Sequence, residues 1–247
     1  MADGMYVSMC GAQARSDQLD AVADNLANAQ TPGFKAARPA FETFLASGGA
    51  PDKAYPAAVA TGFDLRAGPT ATTSNQLDVL PDDGAFLTVQ NPDGSIAFTR
   101  DGRLTLDGVG RLVSGAGRVV LDDRGQPIVV PIDLTPIVDP NGIVRATDPR
   151  GAGGPGAGEI QLGTLGLARL VGPVDRVGPS LLAPGEGGAA VPAAVTVRSG
   201  IVELGNAPAL EATLAMVTVQ RSFDSSMQAL QTYRQMDQRL ADVGRVR

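Results

Sequence analysis

Several clusters along the chain carry residue types that do chemistry elsewhere, and each lacks the context that chemistry needs. Gly151 to Gly156 (Gly-Ala-Gly-Gly-Pro-Gly) spells a dinucleotide fingerprint, yet no strand runs into it, no helix opens after it, and Pro155 sits inside it. It reads as part of a loop over 151–158. Asp82-Asp83-Gly84 and Asp122-Asp123-Arg124-Gly125 are acidic turns. Their carboxylates are expected to cap their own backbone, because the alternating Asp spacing of a calcium loop is absent. Ser222, Ser225 and Ser226 lie near Arg221 and Arg234, with no base to activate a hydroxyl. The chain has no histidine and one cysteine, Cys10. That removes the commonest general base, the Ser-His and Cys-His pairs, every His-containing zinc site and any disulfide within the chain. A glycan hydrolase needs two carboxylates in one cleft about 5–10 Å apart; Glu159, Glu186 and Glu203, the only glutamates of the second half before the terminal helix, stand in no motif. The residues predict no catalytic site, no cofactor and no metal, so the chain reads as a non-enzyme.

The elements that carry these residues come in three blocks. An amphipathic helix is expected over 5–30: Met5, Met9, Ala12, Ser16, Leu19, Ala23, Leu26 and Gln30 step alternately by four and three, a heptad-like seam. Arg15, Asp17, Asp20 and Asp24 fall on the other side, and Thr31-Pro32-Gly33 ends the segment. A longer helix is expected over 208–243, with Met216, Val219, Phe223, Met227, Leu230, Tyr233 and Leu240 as its stripe and Asp237 interrupting it. The methionines suit an adaptable packing surface better than a cofactor. Asn25 and Asn28 are poor helix formers near a helix end, and their amides can tie the last turn to the chain that follows.

Between the helices the period changes to that of strands. Phe86–Val89, Ile96–Thr99, Leu104–Leu106, Arg111–Val113, Val119–Leu121 and Ile128–Val130 alternate with turn signals such as Asn91-Pro92-Asp93-Gly94 and Asp101-Gly102. Leu165–Val171 and Val195–Val202 read as further strands, and 183–194 as a loop. With 43% hydrophobic residues, 4% aromatics and no Trp, the core must rest on Val, Leu, Ile and Ala. The expected fold is mainly β, α+β overall: a β-rich central body with N- and C-terminal α-helices forming a coiled-coil-like assembly region. The expected segments are an N-terminal assembly helix and turn over 1–35, a linker or extended segment over 36–80, the body over 81–200 and a C-terminal assembly helix over 201–247. A net charge of −6 argues against nucleic acid, whose affinity comes from Lys and Arg. No apolar run is long enough for a membrane span, and 1–15 lacks the pattern of a secretory signal peptide.

Asn25-Leu26-Ala27-Asn28 followed by Thr31-Pro32-Gly33-Phe34-Lys35 resembles the N-terminal signature of the bacterial flagellar rod and hook proteins. Leu77-Asp78 with Gly84 and Phe86, Phe98-Thr99-Arg100-Asp101-Gly102, Gly110-Arg111-Leu112-Val113, Val202-Glu203-Leu204-Gly205-Asn206 and Gln220-Arg221-Ser222-Phe223 are similar to further stretches of that family. The likeness weakens from about 135 to 195. Leu87 stands where a second Phe is common, Gly205 where Ser is common, and Pro81-Asp82-Asp83 where the family has a hydrophobic stretch.

The resemblance implies a structural subunit of the flagellar basal-body rod, exported through the flagellar type III apparatus without a cleaved signal. It implies assembly in the periplasm with copies of itself and other rod proteins through the terminal helices. Body size, the opening Met5-Tyr6-Val7-Ser8-Met9 and the lack of an extended insertion after Phe44-Leu45 make it most like the proximal rod member. A distal rod or hook-type subunit is the alternative. Long seams without a partner predict termini that are partly disordered in a lone subunit and ordered on assembly.

Overall fold

The computed structural model describes residues 2–45, 54–131, 134–147 and 159–245. The chain divides into two compact units. The first contains α1 (Ala2–Ala27), the hairpin β1 (Ala37–Leu45) and β2 (Ala54–Phe63), and α2 (Ala209–Arg245). The second contains 28–36 and 64–206. The chain therefore passes between the units at residues 27/28, 36/37, 63/64 and 206/207.

In the first unit α1 packs along α2 and against both strands of the hairpin. Helix α1 stops at Ala27, three residues before the end that the seam predicts. Asn28 to Gln30 instead form a turn, closed by Thr31 N–H donating to Asn28 O at 2.9 Å. The hairpin lies in the stretch expected as linker: Ala37 pairs with Phe63, and a bulge at Ala40/Phe41 shifts the register toward Leu45 and Ala54. Pro39 and Pro56 hide this strand potential in the sequence.

The second unit begins with β3 (Thr70–Thr72), β4 (Val79–Pro81), β5 (Phe86–Gln90), β6 (Ile96–Thr99), β7 (Leu104–Leu106), β8 (Leu112–Ser114) and β9 (Val119–Val120). It continues with β10 (Thr135–Val138), β11 (Ile143–Thr147), β12 (Glu159–Thr164), β13 (Leu167–Val171) and β14 (Val174–Gly178). It ends with β15 (Leu181–Pro184), β16 (Ala189–Pro192), β17 (Val197–Ser199) and β18 (Ile201–Glu203). Its main sheet runs β14-β15-β6-β5-β9-β8-β7, with β13 joining β5 and β16. Strands β10-β11-β12 form a separate sheet, and every strand pairing among the described residues is antiparallel. The turn signals work as their chemistry requires. Gly94 N–H donates to Asn91 O at 2.9 Å, and the Asp93 carboxylate accepts from Ser95 N–H.

Three expectations change. The run 128–130 forms no named strand; Val129 makes an isolated bridge with Arg111, and Ile128 and Val130 bond the backbone of neighbouring segments. The stretch 183–194 contains the end of β15 and all of β16, because Ala189–Pro192 finds an open edge on β13. The single strand over 195–202 is two, since the chain changes partner at Gly200 from β4 to β3.

The core is aliphatic. Val79, Leu87, Val89, Leu104, Leu112, Val120, Ile128, Val144 and Leu165 cluster at 2% exposure or less. At about 1.5–3 kcal/mol for each fully buried aliphatic side chain, this cluster is the main driving force for closing the body. Phe34 and Phe86 are buried too, beside charged groups.

Candidate functional site: a motif junction and an assembly surface

The motif segments 31–35, 98–102 and 202–206 meet inside the second unit. Turn 31–34 is held by Phe34 N–H donating to Thr31 O and Gly33 N–H donating to Glu203 O. Gly33 has φ +70°, and a Cβ there would lie 2.2 Å from Asp101 N, so both conformation and space require glycine. Phe34 then enters the interior, with the Arg176 guanidinium over its ring at 4.4 Å. Arg176 also donates to Lys35 O.

Lys35 follows, and its 2% exposure leaves its ammonium to be satisfied inside the protein. Lys35 Nζ lies 2.7 Å from Glu203 Oε1 and also donates to Arg66 O at 2.7 Å. The second Glu203 oxygen accepts from Arg100 Nε at 2.8 Å and Nη2 at 2.5 Å. Gly68 N–H donates to Glu203 Oε1 at 3.0 Å. Arg100 Nη1 spends its donors on Pro81 O and Ala85 O. Two cations thus share one carboxylate, and the ring of Phe86 lies about 6 Å from both. Burial alone would push the Glu203 carboxyl up, but the Arg100 guanidinium and Lys35 ammonium hold it below the usual range. Burial pulls the Lys35 ammonium down, and Glu203 offsets only part of that.

Two asparagines handle the chain crossings. Asn206 Oδ1 accepts from Ala36 N–H at 2.7 Å, while Nδ2 donates to Asp64 O at 2.7 Å and Arg66 O at 2.9 Å. One amide therefore gathers three passes of the chain within the second unit. In the first unit, Asn25 Nδ2 donates to Ala37 O at 2.9 Å and Oδ1 accepts from Ala37 N–H at 2.8 Å. The Asn25 amide imitates a strand partner at the first residue of β1. Asn28 Oδ1 accepts from Thr31 Oγ1 at 3.2 Å. Gly205 passes so close to the 28–29 backbone that a Cβ would meet Ala29 O at 2.7 Å, which accounts for glycine where the family commonly has Ser.

The helix seam is partly filled by the chain itself. Ala12, Val219 and Leu230 are buried, and Leu19, Ala23, Leu26, Met216, Phe223 and Tyr233 are half-buried. Met9 and Met227 remain exposed. Met5 and Leu240 lie within α1 and α2, but their side chains lie outside the described residues, as does the loop 151–158. Sequence reasoning missed a second row on α2: Leu210, Leu214 and Val217 are 75%, 63% and 46% exposed. Their spacing of four and three was the available signal. It also missed the pairing of Arg100 with Glu203, although both stand in motif segments.

The candidate chemistry is absorbed by structure. Asp122 Oδ1 accepts from Arg124 and Gln126 N–H, capping its own turn. Asp82 instead reaches across to Thr196 and Arg198. Glu159 contacts Arg145 at the surface, and Glu203 is consumed by the junction. Cys10 is a half-buried free thiol in α1.

An aliphatic β body with long helices at both ends of the sequence describes a structural element rather than a catalyst. Three family models match in chain order: flagella basal body rod protein over 5–35, flagellar hook protein FlgE/F/G D1 domain over 83–146, and flagellar basal body rod FlgEFG protein C-terminal over 198–243. The chain is 30% identical to the flagellar basal-body rod protein FlgF of Mesorhizobium japonicum, over 99% of each chain. It is 30% identical to that of Escherichia coli over 93% of each, and 27% identical to FlgG of Bacillus subtilis over 99% of this chain and all of the relative. The chain belongs to the flagellar basal-body rod protein family, whose members are structural and non-enzymatic subunits.

Proposed function

We propose that this chain is a proximal subunit of the flagellar rod, that it self-assembles axially through α1 and α2, and that the resulting tube transmits torque for motility. The observation that carries the reading is the match of both terminal helices and the body to rod-family models, together with full-length similarity to relatives named FlgF. Relatives named FlgG are matched at lower identity, which favours the FlgF position. In this reading the FlgF position is the proximal one. Its partners are copies of itself, other rod proteins and, during delivery, the flagellar type III export apparatus. It reaches the periplasm without a cleaved signal peptide. It takes no small-molecule substrate and no nucleic acid, and it does not insert into the membrane. Among the described residues no helix is long and apolar enough to cross one.

The seam residues divide the work. Ala12, Val219 and Leu230, with half-buried Leu19, Ala23, Leu26, Met216, Phe223 and Tyr233, hold α1 to α2. Met9 and Met227, together with Met5 and Leu240, meet neighbouring subunits. The motif residues Asn25, Leu26, Ala27, Asn28, Thr31, Gly33, Phe34 and Lys35 set the exit of the chain from α1. Contacts that repeat without closing into a ring generate a helical filament. Basal bodies from a strain lacking this chain test the reading by electron microscopy, with motility scored alongside. A missing or truncated rod, restored by the intact gene, is expected. Complete rods and normal swimming would refute it.

A further inference from the structure

Three stretches of the β unit, 28–36, 64–72 and 201–206, adjoin the four chain crossings. They are held by a different kind of contact from the rest of that unit. The aliphatic core cluster takes no residue from them among the described residues. Their only strands, β3 and β18, have three residues each and pair with each other, Thr70 with Glu203 and Thr72 with Ile201, apart from the main sheet. A two-stranded ladder is marginal by itself in water.

What joins the three stretches is polar and centred on two side chains of the last one. Glu203 Oε1 takes Lys35 Nζ from the first stretch and the Gly68 N–H from the second. The Asn206 amide takes the Ala36 N–H from the first and the Asp64 and Arg66 carbonyls from the second. The backbone follows the same routes. Gly33 N–H donates to Glu203 O at 2.9 Å, Leu204 N–H to Pro69 O at 2.8 Å and Asn206 N–H to Phe34 O at 3.2 Å. Asp64 N–H closes the triangle by donating to Ala36 O at 2.9 Å. Every stretch is therefore bonded to both of the others.

We propose that these three stretches form one clamp, which opens and closes as a unit while the main sheet stays folded, and which fixes or frees the four chain crossings together. The inference goes beyond the rod reading and rests on the β unit alone. Glu203 cannot leave by itself, because Lys35 and Arg100 would stay buried without a counter-ion. No single stretch can leave by itself either, since it would strand donors and acceptors on both of the others. The main sheet keeps its own ladder and the aliphatic cluster when the clamp opens, so its closure does not depend on the clamp. One step thus decides whether the chain leading to α1, to the β1–β2 hairpin and to α2 is tied to the body where it departs.

Hydrogen exchange of the full chain, read at single amides over a series of low denaturant concentrations, tests this. The Gly33, Ala36, Gly68, Leu204 and Asn206 amides are expected to share one opening free energy and one denaturant dependence. Both should be smaller than those of Thr88 and Leu121, whose N–H groups bond within the body to Gly166 O and Thr88 O. Glu203→Gln keeps the shape and removes the charge, and Asn206→Ala removes the amide. Each is expected to speed exchange of all five amides together, by about tenfold or more, with Thr88 and Leu121 remaining the slower class. Five amides that already exchange with Thr88 and Leu121 in the parent would overturn the separate opening. A Glu203→Gln effect confined to Gly68, with an Asn206→Ala effect confined to Ala36, would overturn the single clamp.

Discussion

Glu203 and Arg221 are both charged residues near the start of the C-terminal segment, and the two units treat them in opposite ways. Glu203 is 1% exposed, and its oxygens accept from Lys35, Arg100 and the Gly68 N–H. Arg221 lies in solvent on α2, next to three exposed aliphatic residues. At the junction inside the β unit, the buried charges are satisfied within the chain. In the helix unit the inner face of α2 is closed, while its outer face keeps apolar groups in water. On the proposed rod reading, this second arrangement is a surface for another protein. The junction closes within the single chain, and on the proposed rod reading the outer face of α2 is closed by a neighbour.

The largest effect should come from breaking the closed region. Glu203→Ala leaves Lys35 and Arg100 buried together with no counter-ion. Removing one partner from a buried ion pair costs about 3–5 kcal/mol. Denaturant unfolding followed on the β signal should report a loss of that size. A loss below about 1 kcal/mol would mean the junction behaves like a surface pair, and the contrast between the units would fail. Gly205→Ala comes next. Its Cβ would meet the Ala29 and Asn28 carbonyl oxygens at 2.7 and 2.9 Å, contacts that only backbone movement relieves. A loss of about 1–3 kcal/mol is expected, the range for overpacking.

Acid sharpens the same point. The Glu203 carboxyl is held below its ordinary value of 4.5 in the folded chain. The unfolded chain therefore takes up this proton first as pH falls. The stabilisation is fully present above about the ordinary value and shrinks below it. It is gone once pH passes through the folded value. Glu203→Gln should flatten this acid limb of stability against pH. An unchanged limb in the variant would assign the acid sensitivity to other carboxylates.

Much of this contrast was legible in the sequence, and the missing parts share a cause. Helix periods, the Asn91–Gly94 turn and the aliphatic core are local or compositional features, which a linear reading captures. The Asn25 amide was visible as an oddity because Asn is a poor helix former, and its partner, Ala37, lies only twelve residues away. Glu203 finds Lys35 and Arg100 across separations of 168 and 103 residues, which no local pattern encodes. Strand β16 was hidden for a related reason, since Ala189–Pro192 becomes a strand only because β13 offers it an edge. On α2 the difficulty was different. The helix carries two apolar rows, and the reading followed the row through Met216 and Phe223 while leaving Leu210, Leu214 and Val217 unassigned. A hydrophobic period identifies a helix face but does not say whether its own chain or another will cover it.

The smallest effect on stability should come from that outer row, and its smallness is what matters. Leu214 is 63% exposed, so replacing it by Gln removes little buried area, and surface changes of this kind stay within about 0.5 kcal/mol. Leu210→Gln and Val217→Gln should behave alike, and the triple variant should unfold at nearly the same denaturant concentration as the parent. If the row is reserved for a neighbour, incorporation into the rod should nevertheless fall with each substitution, most of all in the triple variant. A triple variant that assembles normally would mean the exposed row is incidental. A triple variant that unfolds much earlier would mean the row is covered by its own chain. Only unchanged stability together with lost assembly fits a helix whose outer face is finished by another subunit.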